Sequence, residues 1–460
     1  MLLTMFSWAM IIVFLLLVMT KKMQPFTALV LVPLAFALAG AVTGLFDAQI
    51  AGSLKLEAAD LSTWDRIRVI GTWTVSGVTR TSTTALMLLF AILFFAIMLN
   101  AGTFDPVTSF IIRLAKGDPV KVLVGTAIAA AMVSLNGDGT TTTLICCTAF
   151  IPIYKRLGLK MMNLGVLIIL MNTIMNLLPW GGPTARVISV LENVGEQEIL
   201  NALIPGMAVA TIYMIGVAYY LGLKERKRVG VLELSDADIV SLTQAASPEE
   251  EALKRPKLFL VNAGLTIAAV VMLVLGTFPS VFIFLVATAL SLIINYQDIS
   301  DQKGRIQDNG GDALQVVILV IGAGIFMGLF TNSGMSDALS ASMISMIPPQ
   351  FGRFWGLVTA VVSAPGTFFL SNDAFYYGVL PIFADAGARY GFTALEIGTA
   401  SLLGQAFHLL SPLVAFIYLL LRLTDLDMGE WQKESAKWGV GIFAIFIIMA
   451  AVTGNVPLFK

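Results

Sequence analysis

The feature that most constrains this chain is the length of its uncharged apolar runs. No ionisable side chain occurs between Arg80 and Asp105, and about 20 apolar residues are what an α-helix needs to cross the hydrocarbon core of a bilayer. Similar runs recur along all 460 residues. Composition agrees, since 57% of the residues are hydrophobic and 12% charged, against roughly 25% charged in soluble domains. Too few polar side chains remain to cover a water-soluble surface. A net charge of -1 leaves no basic stripe, so no nucleic-acid partner is expected. Cys146 and Cys147 are adjacent inside one apolar run, a spacing that suits neither a disulfide framework nor a metal ribbon, and they read as apolar filler.

The positive-inside rule orients the runs. Residues 1 to 22 lack a basic leading region and a small-residue cleavage site, and Lys21 and Lys22 follow the apolar stretch, so a retained first span ending in the cytoplasm is expected. Further spans are read near 25 to 46, 82 to 102, 161 to 200, 203 to 222, 258 to 275, 279 to 296, 312 to 333, 391 to 421 and 438 to 456, about ten in all. Residues 121 to 155 behave differently. Both ends are basic and Asp138 sits at the centre, with uncharged arms from 122 to 137 and from 139 to 154. Each arm reaches only ~24 Å at ~1.5 Å per residue. The segment is therefore predicted to be a re-entrant hairpin, its tip Ser134 to Thr143 at membrane depth, and residues 354 to 388 repeat the pattern around Asp373. The charged stretch 223 to 257, including KERKR at 224 to 228, reads as a cytoplasmic linker. Both termini are then expected outside the cell.

An internal repeat carries the architecture further. Asn100-Ala101-Gly102-Thr103-Phe104-Asp105 and Asn332-Ser333-Gly334-Met335-Ser336-Asp337 share the pattern N-small-G-x-x-D, each closing a long apolar span. Asp138 and Asp373, and Pro183 and Pro412, recur in the same order at nearly the same offset, about 230 residues. Residues 1 to 222 and 258 to 460 are thus read as two repeats of five crossings each. An odd number of crossings inverts the second against the first, the design of secondary transporters. The expected fold is an all-α membrane protein with about ten transmembrane helices, two re-entrant hairpins and two broken helices (161 to 200 and 391 to 421).

Backbone-breaking residues lie deep in apolar sequence at NGDG (136 to 139), LPWGGPTAR (178 to 186), LSND (370 to 373) and GQAFHLLSP (404 to 412). A helix crossing PWGGP must unwind, freeing carbonyls that suit cations and amides that suit carboxylates. A bare carboxylate at membrane depth is costly. Asp138 and Asp373 are therefore candidate proton carriers or cation ligands, the alternative being buried structural hydrogen-bonding groups. Thr140 to Thr143, Ser371 and Asn372 supply neutral donors beside them. Two readings stay open for Arg186, attraction of an anionic substrate or snorkelling to the outer interface. Two also stay open for His408, the single histidine: proton coupling or packing. No GxSxG, HExxH or P-loop occurs, so neither an enzyme nor an ATP-driven pump is expected.

At these residues the chain resembles the citrate-metal:proton symporter family (CitMHS), within a superfamily that includes dicarboxylate and arsenite carriers. The matching stretches are SLNGDGTTTTLI, MNLLPWGGPTARV, SNDAFYYGVLPIFADA and IGTASLLGQAFHLLSPLV. The resemblance implies proton-driven uptake of citrate complexed with a divalent metal such as magnesium or calcium, by a homodimer with an elevator motion in a prokaryotic plasma membrane. No permanently bound cofactor is implied. Citrate contacts are placed at the first hairpin tip (Asn136, Gly137, Asp138, Gly139, Thr140, Thr141) and the first break (Gly181, Gly182, Thr184, Arg186). The second tip (Ser371, Asn372, Asp373) and the second break (Gln405, His408, Ser411) complete the set. Proton coupling falls to Asp138, Asp373 and His408, and cation contacts to Asp138 and Asp373. In the family pattern the position of Asn136 often carries Asp, and that departure bears on metal preference and proton stoichiometry. The other readings are a same-fold carrier of a dicarboxylate with sodium, an arsenite exporter, and a membrane scaffold without transport.

Overall fold

The computed structural model describes residues 1–232, 248–346 and 349–460, and all regular structure among them is helical. Part of the stretch read as a linker, 233 to 247, lies outside the described residues. In the first half the order is α1 (Leu2–Met19), α2 (Pro25–Val42), α3 (Asp47–Leu54), α4 (Thr63–Asn100), α5 (Asp105–Ala115), α6 (Pro119–Val133), α7 (Gly139–Arg156), α8 (Met161–Met175), α9 (Gly182–Val190) and α10 (Glu196–Val229). The second half holds α11 (Phe259–Leu275), α12 (Ser280–Asn295), α13 (Ile299–Asn332), α14 (Met335–Met346) and α15 (Trp355–Phe369). A π-helix (Ala374–Val379) then runs into α16 (Leu380–Arg389), followed by α17 (Ala394–Leu403), α18 (Ala415–Thr424) and α19 (Met428–Val452).

Eight helical stretches among the described residues are long and apolar enough to cross a membrane, so the protein is multi-pass. The expected fourth and ninth crossings are missing from that set because each is broken into short helices, α8 and α9 in the fourth, and α17, a four-residue helix Gln405–His408 and α18 in the ninth. The seventh, α12, is a 16-residue helix, and the first arm of the first hairpin qualifies together with its tip as Pro119–Asn136. The fourth crossing was read as running to 200, but α9 ends at Val190 and α10 starts at Glu196, where Glu198 accepts from the Gly195 amide as a cap.

From α4 and from α13 onward the two halves present the same order: long helix, short helix, helix pair, broken helix, long helix. The shared N-small-G motif has one physical cause. Gly102 and Gly334 turn the chain out of α4 and α13 with φ of +72° and +74°, a left-handed conformation open to glycine. Residues preceding α11 dock on the first of these turns: the Arg255 amide donates to the Ala101 carbonyl (2.9 Å), and Lys254 pairs with Asp105 (2.8 Å).

The long helices α4 and α13 pack on each other at the centre, and glycines set how closely. A methyl at Gly77 would overlap the Gly324 carbonyl oxygen, and one at Gly328 would overlap the Trp73 carbonyl oxygen. Both obstacles are backbone, as in small-residue crossings generally. Gly328→Val should therefore lower the melting temperature of the detergent-solubilised protein by about 5 °C or more. Gly71→Ala, where an added methyl meets no atom within 4 Å, should leave it unchanged. Equal melting temperatures for both variants would contradict the tight crossing.

Candidate functional site

The first hairpin turns because Asp138 is a strong helix start. After α6 comes a tight turn, Ser134–Asn136, then Gly137 at φ +75°, then Asp138 in extended conformation. Its carboxylate accepts from the amides of Thr140 (3.3 Å) and Thr141 (2.6 Å), a charged cap on the positive end of α7. Asn136, 6% exposed, accepts from the Asp138 amide at 2.7 Å and so fixes the tip, while Asp138 and Thr140 are exposed. Thr140 to Thr143, read as part of the tip, already belong to α7. Cys146 and Cys147 are buried and free in the same helix.

The first break receives this tip. A side chain on Gly137 would contact the Trp180 carbonyl oxygen at 3.1 Å, and the Trp180 indole donates to the Leu135 carbonyl at 2.8 Å. The break closes on itself: Asn176 accepts from the Gly182 amide (3.3 Å), Thr184 donates to the Leu177 carbonyl (2.7 Å), and a methyl on Gly181 would overlap the Asn176 carbonyl oxygen. Trp180 also stacks on Phe95 of α4 and meets Phe284 of α12 edge-on.

The second hairpin meets the first break through an ion pair. Arg186 Nε donates to Asp373 Oδ1 at 2.7 Å, Nη2 lies 2.7 Å from the same oxygen, and Nη1 donates to the Gly182 carbonyl at 2.7 Å. The two side chains are only 17% and 14% exposed. The Arg186 side chain is thus turned inward onto Asp373 and does not snorkel.

The second tip and second break interlock similarly. Ser371 accepts from the Ala374 amide (3.1 Å), Gln405 donates to Asn372 (2.9 Å) and to the Tyr376 hydroxyl (2.8 Å), and Ser411 donates to the Phe368 carbonyl (2.6 Å). His408 Nδ1 lies 2.7 Å from the Thr367 carbonyl oxygen. A carbonyl can only accept, so Nδ1 carries the hydrogen. A methyl on Gly139 would overlap the Phe416 ring, which brings the first hairpin against the helix after the second break. The structure thus joins both tips to the first break and both hairpins to the second. The two acids meet different partners, Asp138 the α7 amides and Asp373 the Arg186 guanidinium. No group of three or more His, Cys, Asp or Glu able to hold a metal ion occurs among the described residues.

The CitMHS family, described as citrate transporter, matches residues 14–404. The chain belongs to this family. It is 43% identical over 97% of its length to a citrate transporter of Bacillus subtilis (strain 168), covering 98% of that protein. It is also 36% identical over 98% of its length to a Mg(2+)/citrate complex secondary transporter of the same organism, again covering 98%. Among solved structures, the YdaH transporter of Alcanivorax borkumensis superposes with a TM-score of 0.59 at 14% identity, over 86% of this chain and 90% of that one. MtrF of Neisseria gonorrhoeae gives 0.53 at 12%, over 84% of each; these two establish the fold alone. This CitMHS chain is therefore a secondary transporter and not an enzyme. Three residues of the candidate site escaped the sequence reading. Asn176, Trp180 and Tyr376 hold the breaks and tips together, and the signal for the first was a lone amide beside PWGGP in an apolar run.

Proposed function

We propose that this CitMHS transporter takes up citrate as a complex with magnesium or calcium, driven by proton symport. The observation that carries the reading is the Arg186–Asp373 pair, a cation and an anion set side by side where the first break meets the second hairpin. A carboxylate and a metal ion arriving together find both complementary charges in one place. Free citrate carries about three negative charges, and a chelated divalent ion leaves about one, which lowers the cost of entering a membrane site. A relative named for the Mg(2+)/citrate complex supports the same cargo. Asp138, Asp373 and His408 are the proton candidates, and Asn136, Gly137, Gly139, Thr140, Thr141, Ser371, Asn372, Gln405 and Ser411 line the two tips and the second break.

The glycine crossing of α4 and α13 is a rigid element against which hairpins and breaks move as one unit, with turns at Gly102 and Gly334 as hinges. On this reading the halves are inverted repeats in a plasma membrane, the working form is a homodimer of elevator type, and both termini face outward. Radiolabelled citrate uptake into proteoliposomes tests the function. Uptake should require magnesium or calcium and rise at least ~10-fold with an inward proton gradient. Uptake indifferent to every divalent ion rejects the metal complex, indifference to the gradient rejects symport, and no uptake of any carboxylate favours a non-transporting scaffold.

A further inference from the structure

We infer that the Arg186–Asp373 pair selects complexed citrate over free citrate by exchanging one ion pair for two. The inference rests on the metal-citrate reading and deepens it. Arg186 has one edge already committed, because Nη1 is held by the Gly182 carbonyl at 2.7 Å. The edge formed by Nε and Nη2 is the fork that a carboxylate takes with two oxygens. Asp373 fills that edge with a single oxygen, Oδ1, which receives both contacts at 2.7 Å. It is a one-oxygen occupant of a two-oxygen seat. A substrate carboxylate presenting both oxygens makes the better match and displaces it.

Displacement has a consequence for the displaced group. Asp373 is 14% exposed at its side chain, and among the described residues Arg186 is the cation it pairs with. The buried ring of Tyr377 lies 5.9 Å from the Arg186 guanidinium, Tyr376 is engaged by Gln405, and His408 is turned to the Thr367 carbonyl. Free citrate would take Arg186 and leave Asp373 bare beside a trianion, and a buried charge stripped of its partner is strongly unfavourable. Complexed citrate brings the missing cation with it. Its carboxylate goes to Arg186 and its metal to Asp373, so every charge that loses a partner gains another.

The test compares affinities of the purified, detergent-solubilised full-length protein for citrate with excess magnesium and for citrate in EDTA, read by binding of radiolabelled citrate. Wild type should prefer the complex strongly. In Asp373→Asn the metal-free affinity should rise and the preference should fall at least ~10-fold, because the like-charge term is gone and Arg186 is free. Asp373→Ser serves as the second variant if the first is not monodisperse. Wild-type binding of metal-free citrate as tight as that of the complex overturns the inference without any variant. So does a wild-type preference ratio retained in Asp373→Asn or Asp373→Ser. Wild type that neither binds nor transports the complex overturns the proposed function itself, whereas transport of the complex with an unchanged ratio in the variants overturns only the exchange.

Discussion

Arg186→Gln is expected to lower metal-dependent citrate uptake into proteoliposomes by about 100-fold or more, the size of effect that follows from removing one partner of a buried charge pair. Glutamine keeps a donor but loses the charge and the two-pronged fork. The same change strands Asp373, which is 14% exposed at its side chain, and so destabilises the fold as well. The double variant Arg186→Gln with Asp373→Asn separates the two effects. It replaces the pair by two amides of similar shape, and its melting temperature should return most of the way to wild type. Uptake should stay lost, since the substrate carboxylate still lacks its cation. Recovery of uptake to more than about half of the wild-type rate in the double variant would show that the guanidinium serves only to hold the second hairpin in place.

Asp138→Asn should cost nearly as much activity and far less stability. Asparagine caps a helix about as well as aspartate: its single oxygen keeps the shorter bond, from the Thr141 amide, and gives up the longer one from the Thr140 amide, so α7 still starts where it does. What disappears is the negative charge, whose interaction with the helix dipole is about 0.3–1 kcal/mol at an exposed position. The expected outcome is uptake below ~1% of wild type with a melting temperature within about 2 °C. Asp138→Ala, which removes cap and charge together, should be the less stable of the two. An Asp138→Asn protein transporting within twofold of wild type would reduce Asp138 to a structural cap, the bland reading that its two amide bonds invite.

Much of the architecture was legible because it depends on local composition. Eight helical stretches among the described residues are apolar over the length a bilayer requires, and the interruptions at 136 to 139 and 178 to 186 are polar or conformationally unusual residues in the middle of apolar runs. Boundaries were less exact. Asp138 starts a helix at Gly139, so the Thr run that looked like tip is the first turn of α7. Asp373 does not cap in this way; it sits in helical conformation at the start of a π-helix, and the two hairpins differ at the residue that made them look alike in sequence. Arg186 was ambiguous for a simple reason. A long cationic side chain near the end of an apolar helix can turn outward or inward, and the choice depends on what lies opposite.

Sequence alone determined that this chain spans a membrane many times as helices, where those helices break, and which acids and which histidine stand at the breaks. Each of those properties is set by neighbours a few residues away, through apolar length, proline and glycine. Only the tertiary structure decided that Asp373 meets Arg186, that Asp138 serves α7, and that α4 and α13 cross on glycine backbone. Apart from the Asp138 cap, which is local, those contacts join residues more than a hundred positions apart, and they follow from how two halves pack in space, which no local periodicity records.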